Sequence, residues 1–396
     1  MANAGQSESN PFSFLLICQS YPPVIGGSEI EAQRVCSELI RRGHRVTVVC
    51  AGGSPMPPLK NWIDSKGVPV RMYAARWTGH MKNVVFALRV ALMMVTERRN
   101  YQAVYFLMQG LHLAIGLPVA QLLNKPVIMK IAGSGVVPAM HQSRIGRLEL
   151  RWLNRWAKTI LILNEGMREE AVEYGISPEK LAWMPNPVDT VEFSPSTEQE
   201  REQLCSRFKI PRQVPIVLYS GRLAPEKALP TLLEAFAAVL KRVADARLFL
   251  VGDGPMHPTL REQAAELQIP DENIRFVGRV EPQEVSLWLK VATVFVLVSP
   301  SEGFSCALEE AMSCGVPNVV TDIPANRQLL ETDARGIFVP VGDASGTASA
   351  IVELLKNADL RKRLGTAARE HIVASYSMSL IADRYEALFR DALKQR

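Results

Sequence analysis

The chain contains 396 residues, of which 47% are hydrophobic and 21% charged. That length exceeds one ordinary core, so two domains are expected, and the balanced composition excludes disordered and fibrous classes. The net charge of +5 is unevenly divided: residues 1–190 carry 21 Lys/Arg against 13 Asp/Glu, and residues 191–396 carry 24 against 27. The basic half is therefore the one expected to meet something anionic. Aromatic residues make up only 7% and form no basic-aromatic RNA motif. An anionic membrane surface or a phosphorylated ligand is thus preferred, and no nucleic-acid partner is expected.

The first eleven residues carry neither a basic n-region nor an apolar h-region, so no secretory signal is read. Residues 12–18 form an apolar run of strand length that ends in a loop over 19–27. Ala32, Val35, Cys36, Leu39 and Ile40 then fall on one helical face, Gly43 stops that helix, and 45–50 reads as the second strand. The apolar run 84–95 carries Arg89 and, at about a dozen residues, is too short to span a bilayer. Further strands are expected at 103–107, 127–131 and 159–163, each followed by helical sequence. In 144–160, Arg144, Arg147, Arg151, Arg155 and Lys158 form one helical stripe, with Ile145, Leu148, Trp152 and Trp156 beside it. Such a stripe suits an interfacial helix on an anionic membrane, and equally a surface helix with its apolar side in the core.

Residues 184–195 contain Pro185, Pro187 and Pro195 and read as a linker. The alternation then restarts, with strands at 216–219, 247–251, 274–277, 294–298 and 318–320, and a final helical segment over 377–394. Strands that alternate with helices imply right-handed crossovers and parallel sheets. The expected class is therefore α/β, with two Rossmann-like doubly wound domains, 1–190 and 191–376, and a terminal helix, 377–396, packing back toward the first. A cleft between two such domains, at the carboxyl ends of their strands, is where ligands are expected. The six cysteines sit singly with no C-x-x-C pair, which fits a reducing, cytoplasmic setting.

The most informative stretch is Ser299-Pro-Ser-Glu302-Gly303-Phe304-Ser305-Cys306, continuing through Glu310 to Pro317. A strand ends, a Ser/Gly loop follows, and a helix is expected to start near Ser305, where backbone N–H groups receive phosphate or sugar oxygens. Glu302 and Glu310, placed two turns into the helix, could accept from vicinal hydroxyls; Glu302 could equally cap the helix. Gly221-Arg222 with Glu226-Lys227, and Gly252-Asp-Gly254-Pro255, follow two other strands and should crowd the same sheet edge. Arg222 and Lys227 would offer charge to a pyrophosphate, or form a surface pair with Glu226. No D-x-D motif and no His/Cys cluster of ligand spacing occurs, so no metal or other cofactor is expected.

These motifs resemble the family-4 retaining glycosyltransferases of the GT-B fold over nearly the whole chain. The resemblance also rests on Gly26-Gly27-Ser-Glu29, Arg42-Gly-His44, Pro185-Asn186 with Val188-Asp189, Phe276-Val-Gly278, and Ala311-Met-x-Cys-Gly-Val-Pro317. It implies a nucleotide-diphosphate sugar donor, a UDP-sugar first among them, and an acceptor hydroxyl on a cell-envelope glycan, lipid-linked saccharide or small molecule. It further implies that Arg222 and Lys227 bind the diphosphate, that Glu302, Gly303, Phe304, Ser305 and Cys306 hold the donor sugar, and that Glu310 holds the ribose. Gly26, Gly27 and Gly252 would approach the diphosphate, and Gly278 and Arg279 the base. Ala132 stands where the family often has a histidine, so Lys130, Gly133 and Ser134, with Asn164, are the acceptor-side candidates; Asn164 could equally cap a helix. The acceptor is expected near loops 52–66 and 76–83. The alternatives on the same fold are a sugar-nucleotide 2-epimerase and a non-catalytic sugar-nucleotide binder.

Overall fold

The computed structural model describes residues 10–22, 26–52, 60–74, 80–211 and 213–394. Residues 1–9 and 75, and positions 53–59 and 76–79 of the two expected acceptor loops, lie outside the described residues. The chain divides into two compact units, one of residues up to Pro187 together with the chain from Met378, the other from Val188 to Ser377. No helix among the described residues is long and apolar enough to cross a membrane.

The first unit is built on strands β1 (Ser13–Cys18), β2 (Arg45–Gly52), β3 (Lys60–Ile63), β4 (Pro69–Ala74), β5 (Ala103–Leu107), β6 (Val127–Lys130), β7 (Ala157–Ile162) and β8 (Leu181–Trp183). They form one sheet in the order β3-β4-β2-β1-β5-β6-β7-β8. All pairs are parallel except β3 with β4, an antiparallel edge that alternation alone did not foretell. β1 is buried along its whole length, as a central strand covered on both faces must be. Between the strands run α1 (Gly27–Arg41), α2 (His80–Thr96), α3 (Leu111–Leu122), α4 (Val136–Gln142), α5 (Arg144–Trp156) and α6 (Glu165–Glu173). Gly43, at φ +92°, ends α1 in the left-handed conformation that favours glycine. The basic stripe is one residue shorter than its spacing implies: α5 stops at Trp156, and Lys158 belongs to β7, where Ala157 and Thr159 pair with β6.

The terminal helix (Met378–Lys394) completes this unit by burying Ile381, Tyr385 and Phe389. Phe389 stacks on Phe14 of β1 at 4.3 Å between centroids. Arg42, just past α1, holds the helix from outside through Asp383 and, at 3.1 Å, Glu386.

The second unit contains α7 (Glu198–Arg207), β9 (Ile216–Ser220), α8 (Leu229–Leu240), β10 (Arg247–Val251), α9 (His257–Glu266), β11 (Ile274–Gly278), α10 (Pro282–Val291) and β12 (Val294–Leu297). It continues with α11 (Cys306–Ser313), β13 (Asn318–Thr321), α12 (Pro324–Leu330), β14 (Ile337–Val339), α13 (Ala344–Lys356) and α14 (Ala358–Ser375). The sheet is parallel throughout, in the order β11-β10-β9-β12-β13-β14. Its order reverses between β9 and β12, so the connections leaving those two strands part to opposite faces and open a crevice at their carboxyl ends. The stretch read as a linker is buried from Met184 to Val188, and Val188 donates its N–H to the Tyr376 carbonyl at 3.0 Å.

Candidate active site

At the carboxyl edge of the second sheet, backbone approaches backbone. Gly221 donates to the Val251 carbonyl and Gly252 to that of Gly278, each at 2.9 Å, which stitches the loops after β9, β10 and β11 together. A Cβ on Gly252 would lie 2.0 Å from the Gly221 oxygen, and one on Gly254 2.4 Å from the Leu223 oxygen. Gly252 also sits at φ +133°, so both sterics and torsion demand glycine there. Asp253, between them, accepts from the Gly254 N–H and pairs with His257, which holds its carboxyl below the usual range.

Across the switch point, the loops after β9 and β12 meet through side chains. The Lys227 ammonium lies 2.7 Å from Glu302 Oε1, with the two side chains 22% and 9% exposed. Glu302 is therefore bound to Lys227, and the cap of α11 is Ser305, whose Oγ accepts from the Leu308 N–H at 3.3 Å. Beneath this pair Tyr219 is buried and donates to the Arg222 carbonyl at 3.0 Å; burial, then the Glu302 carboxylate, pushes its phenol pKa up. Arg222 itself points outward and pairs with Glu226, so in this state it adopts the surface alternative. Gly303 and Phe304 complete the loop, Phe304 lying 6.0 Å from the Tyr376 ring. Cys306 opens α11, and Glu310 sits a little over one turn into it rather than two, because the helix begins at Cys306. Gly278, at φ +82°, and the exposed Arg279 close the edge beyond β11. Among the described residues no three His, Cys, Asp or Glu side chains converge as a metal would require.

In the first unit, the switch point lies between β1 and β5, and Gly26 and Gly27 follow β1 there. Gly26 precedes α1 and accepts from the Ile30 N–H at 3.1 Å; Gly27 is its exposed first residue. Two acceptor-side assignments change. Lys130 is 1% exposed, with its ammonium 2.7 Å from Glu31 Oε1 and 2.9 Å from Asn186 Oδ1, so it is committed to the core. Asn164 caps α6, its Oδ1 accepting from the Met167 N–H at 2.8 Å, which fixes the helix-cap alternative. Gly133 and Ser134 remain near the surface after β6, where the following turn is held by Glu170 accepting from the Gly135 N–H.

Two family models divide the chain much as the structure does. Residues 26–187 match the glycosyl transferase 4-like domain, and residues 200–371 match glycosyl transferases group 1. The chain belongs to the family-4 GT-B glycosyltransferases. N-acetyl-alpha-D-glucosaminyl L-malate synthase of Bacillus anthracis is 29% identical over 197 residues, which is 50% of this chain and 51% of that one. Against that relative the match therefore spans about half the length. Phosphatidyl-myo-inositol mannosyltransferase of Mycobacterium leprae is 28% identical over 385 residues, 93% of this chain and 94% of its own. Among solved structures, Anabaena HepE in complex with UDP and glucose superposes with a TM-score of 0.80 at 17% identity, covering 96% of this chain and all of that one.

Within this family-4 chain, one cluster escaped the sequence reading. Glu31 of α1, Lys130 of β6, Asn186, Tyr105 of β5 and Tyr385 of the terminal helix share a buried network in which Tyr385 donates to Glu31 at 3.0 Å. Their sequence separations are too large for any local motif. The available signal was a lysine at the end of a wholly apolar strand, which implies a buried carboxylate partner.

Proposed function

We propose that the protein transfers a sugar from a nucleotide-diphosphate sugar to an acceptor hydroxyl with retention of anomeric configuration. The Lys227–Glu302 pair at the switch point carries this reading. A diphosphate arriving there meets the ammonium, and the donor sugar's hydroxyls meet the carboxylate that the ammonium now neutralises. When the glycosidic bond breaks, negative charge grows on the departing phosphate oxygen. Lys227, joined by Arg222 swung away from Glu226, stabilises that charge more than it stabilises the bound donor, which lowers the barrier. Glu310 takes the ribose diol. In this scheme cationic side chains rather than a metal meet the leaving group.

The second unit is assigned to the donor and the first to the acceptor. A UDP-sugar is the first donor to test, and the acceptor is a cell-envelope glycan or lipid-linked saccharide; the mycobacterial relative is named for a phosphatidylinositol acceptor. Such acceptors place the enzyme at the cytoplasmic face of a membrane, reached peripherally through the arginines of α5. Melting-temperature shifts across UDP, GDP and their sugars test the donor, because a ligand stabilises the fold it binds by mass action. Turnover in excess EDTA, followed by determination of the product's anomeric configuration, tests the chemistry. Activity that returns only with Mg²⁺ or Mn²⁺, an inverted product, or an isomerised donor sugar would each overturn the part it addresses.

A further inference from the structure

Between Asp64 and Glu165 the sequence carries fourteen Lys/Arg and two acids. Of these cations, Arg71 is offset by Glu97 and Lys130 is buried against Glu31, while Glu149 lies on the buried, inward face of α5 and brings no acid to the surface. This stretch contains α2, α3 and α5, with α2 and α5 both packed on α3, so the three helices form one layer on the sheet. Two stripes run along that layer. On α2, Met81, Leu88, Leu92 and Val95 are exposed, Leu92 by 64%, and they lie opposite the buried Phe86, Val90, Met93 and Met94. On α5, Arg144, Arg147, Arg151 and Arg155 are exposed opposite Leu150 and Leu153. Ile145 and Leu148 are exposed beside the arginines, and Trp152 stacks on Trp156 at 5.2 Å. Because each stripe opposes its helix's inward face, both point away from the sheet.

We propose that this layer docks flat on an anionic bilayer, with α2 supplying an apolar ridge that enters the acyl boundary and α5 supplying guanidinium groups for lipid phosphates. The inference rests on the α5 contact proposed above and adds α2 as the inserting element. The ridge, about 20 Å long, would cost solvation if left in water, yet no acidic residue interrupts it. Four exposed arginines beside a tryptophan pair, on the same helical layer as an apolar ridge, match the two-part chemistry of a lipid headgroup region. Nucleic acid would satisfy the arginines and leave the leucines in water. A second copy of the chain would bring like-charged rows together.

The test is flotation of the full chain with phosphatidylcholine vesicles, with and without phosphatidylserine, at low and high salt. The parent should float only with phosphatidylserine, and less at high salt. Arg147→Gln with Arg151→Gln should lower partitioning by roughly thirtyfold, from about fivefold per arginine. Leu88→Gln with Leu92→Gln should lower it on the order of tenfold while melting like the parent, because both positions are exposed. In the parent, brominated lipid should quench tryptophan fluorescence. A leucine pair that floats like the parent would remove α2 while leaving the α5 contact standing; an arginine pair that does so would remove the α5 contact. Equal binding to phosphatidylcholine alone would overturn the electrostatic basis. A leucine pair that converts a dimer to a monomer without changing flotation would make the ridge a self-association face and end the proposal.

Discussion

Lys227→Met removes an ammonium and keeps most of the side-chain stem, so it separates the two jobs assigned to this residue. The first is holding Glu302. With 22% and 9% exposure the pair lies between exposed ion pairs, worth up to about 1 kcal/mol, and buried ones, whose one-sided removal costs about 3–5 kcal/mol. A loss of ~2 kcal/mol is expected, or a fall of roughly 4–8 °C in Tm for a domain of this size. The second job is meeting the leaving diphosphate. Losing one charged donor to a developing oxyanion typically costs ~3 kcal/mol, so kcat should fall by roughly a hundredfold while KM for the donor changes far less. Steady-state kinetics and a melting curve on the same preparation read both effects. The decisive control is Lys227→Met combined with Glu302→Gln, which removes the stranded carboxylate. That double variant should regain most of the lost Tm and none of the lost rate. A folded Lys227→Met enzyme with kcat within about threefold of the parent would refute the mechanism. Recovery of rate in the double variant would show that Lys227 serves only to neutralise the Glu302 carboxylate and does not meet the diphosphate.

Gly252→Ala should lower both Tm and donor affinity, because its Cβ would fall 2.0 Å from the Gly221 oxygen at a φ of +133°; thermal melts with and without donor check it. Lys130→Ala should cost about 3–5 kcal/mol by stranding the Glu31 carboxylate in the core, and Lys130→Met with Glu31→Gln should recover much of that, as read by urea denaturation. Burial pushes the Glu149 carboxyl up to about 7 from an ordinary 4.5, so the folded state holds a proton that the unfolded chain has released. Stability from this group is complete below pH ~4.5 and is lost as pH rises through ~7, a change of up to about 3 kcal/mol. Glu149→Gln should flatten that segment of the stability–pH curve and raise Tm at pH 8; a curve unchanged by the substitution would contradict the assignment.

Much of the fold was legible because its signals are local. Apolar runs of strand length, Gly43 after an amphipathic helix, and Ser305 ahead of α11 each fix structure within a few residues. The three glycine-bearing loops of the second unit were legible for the same reason, since parallel strands bring their carboxyl ends to one edge whatever else happens. What escaped is non-local. Lys130 reads as a cation beside a glycine turn, and only the fold reveals Glu31, 99 residues away, as its partner. Arg222 and Lys227 are alike in sequence, yet only Lys227 lies where β12 can present a carboxylate. The edge strand β3 escaped because antiparallel pairing breaks the strand–helix rhythm on which the rest was read. Lys158 fits a helical stripe by spacing alone; strand pairing at Ala157 and Thr159 overrides that spacing.

The first unit takes its last helix from the far side of the second, and this orders events on the ribosome. Val188 to Ser377 is one continuous stretch, so the second unit can close as soon as that stretch has emerged. The first unit has most of its sheet far earlier but must wait for Tyr385 and Phe389 to cover Phe14, Tyr105 and Glu31. About 190 residues separate the end of the first unit's early segment at Pro187 from the helix that covers its sheet, roughly 10–40 s at ordinary elongation rates. During that interval the nascent chain carries an uncovered aromatic face and an ion pair open to water on that side. The half translated first is therefore the half finished last, and the one a chaperone would hold.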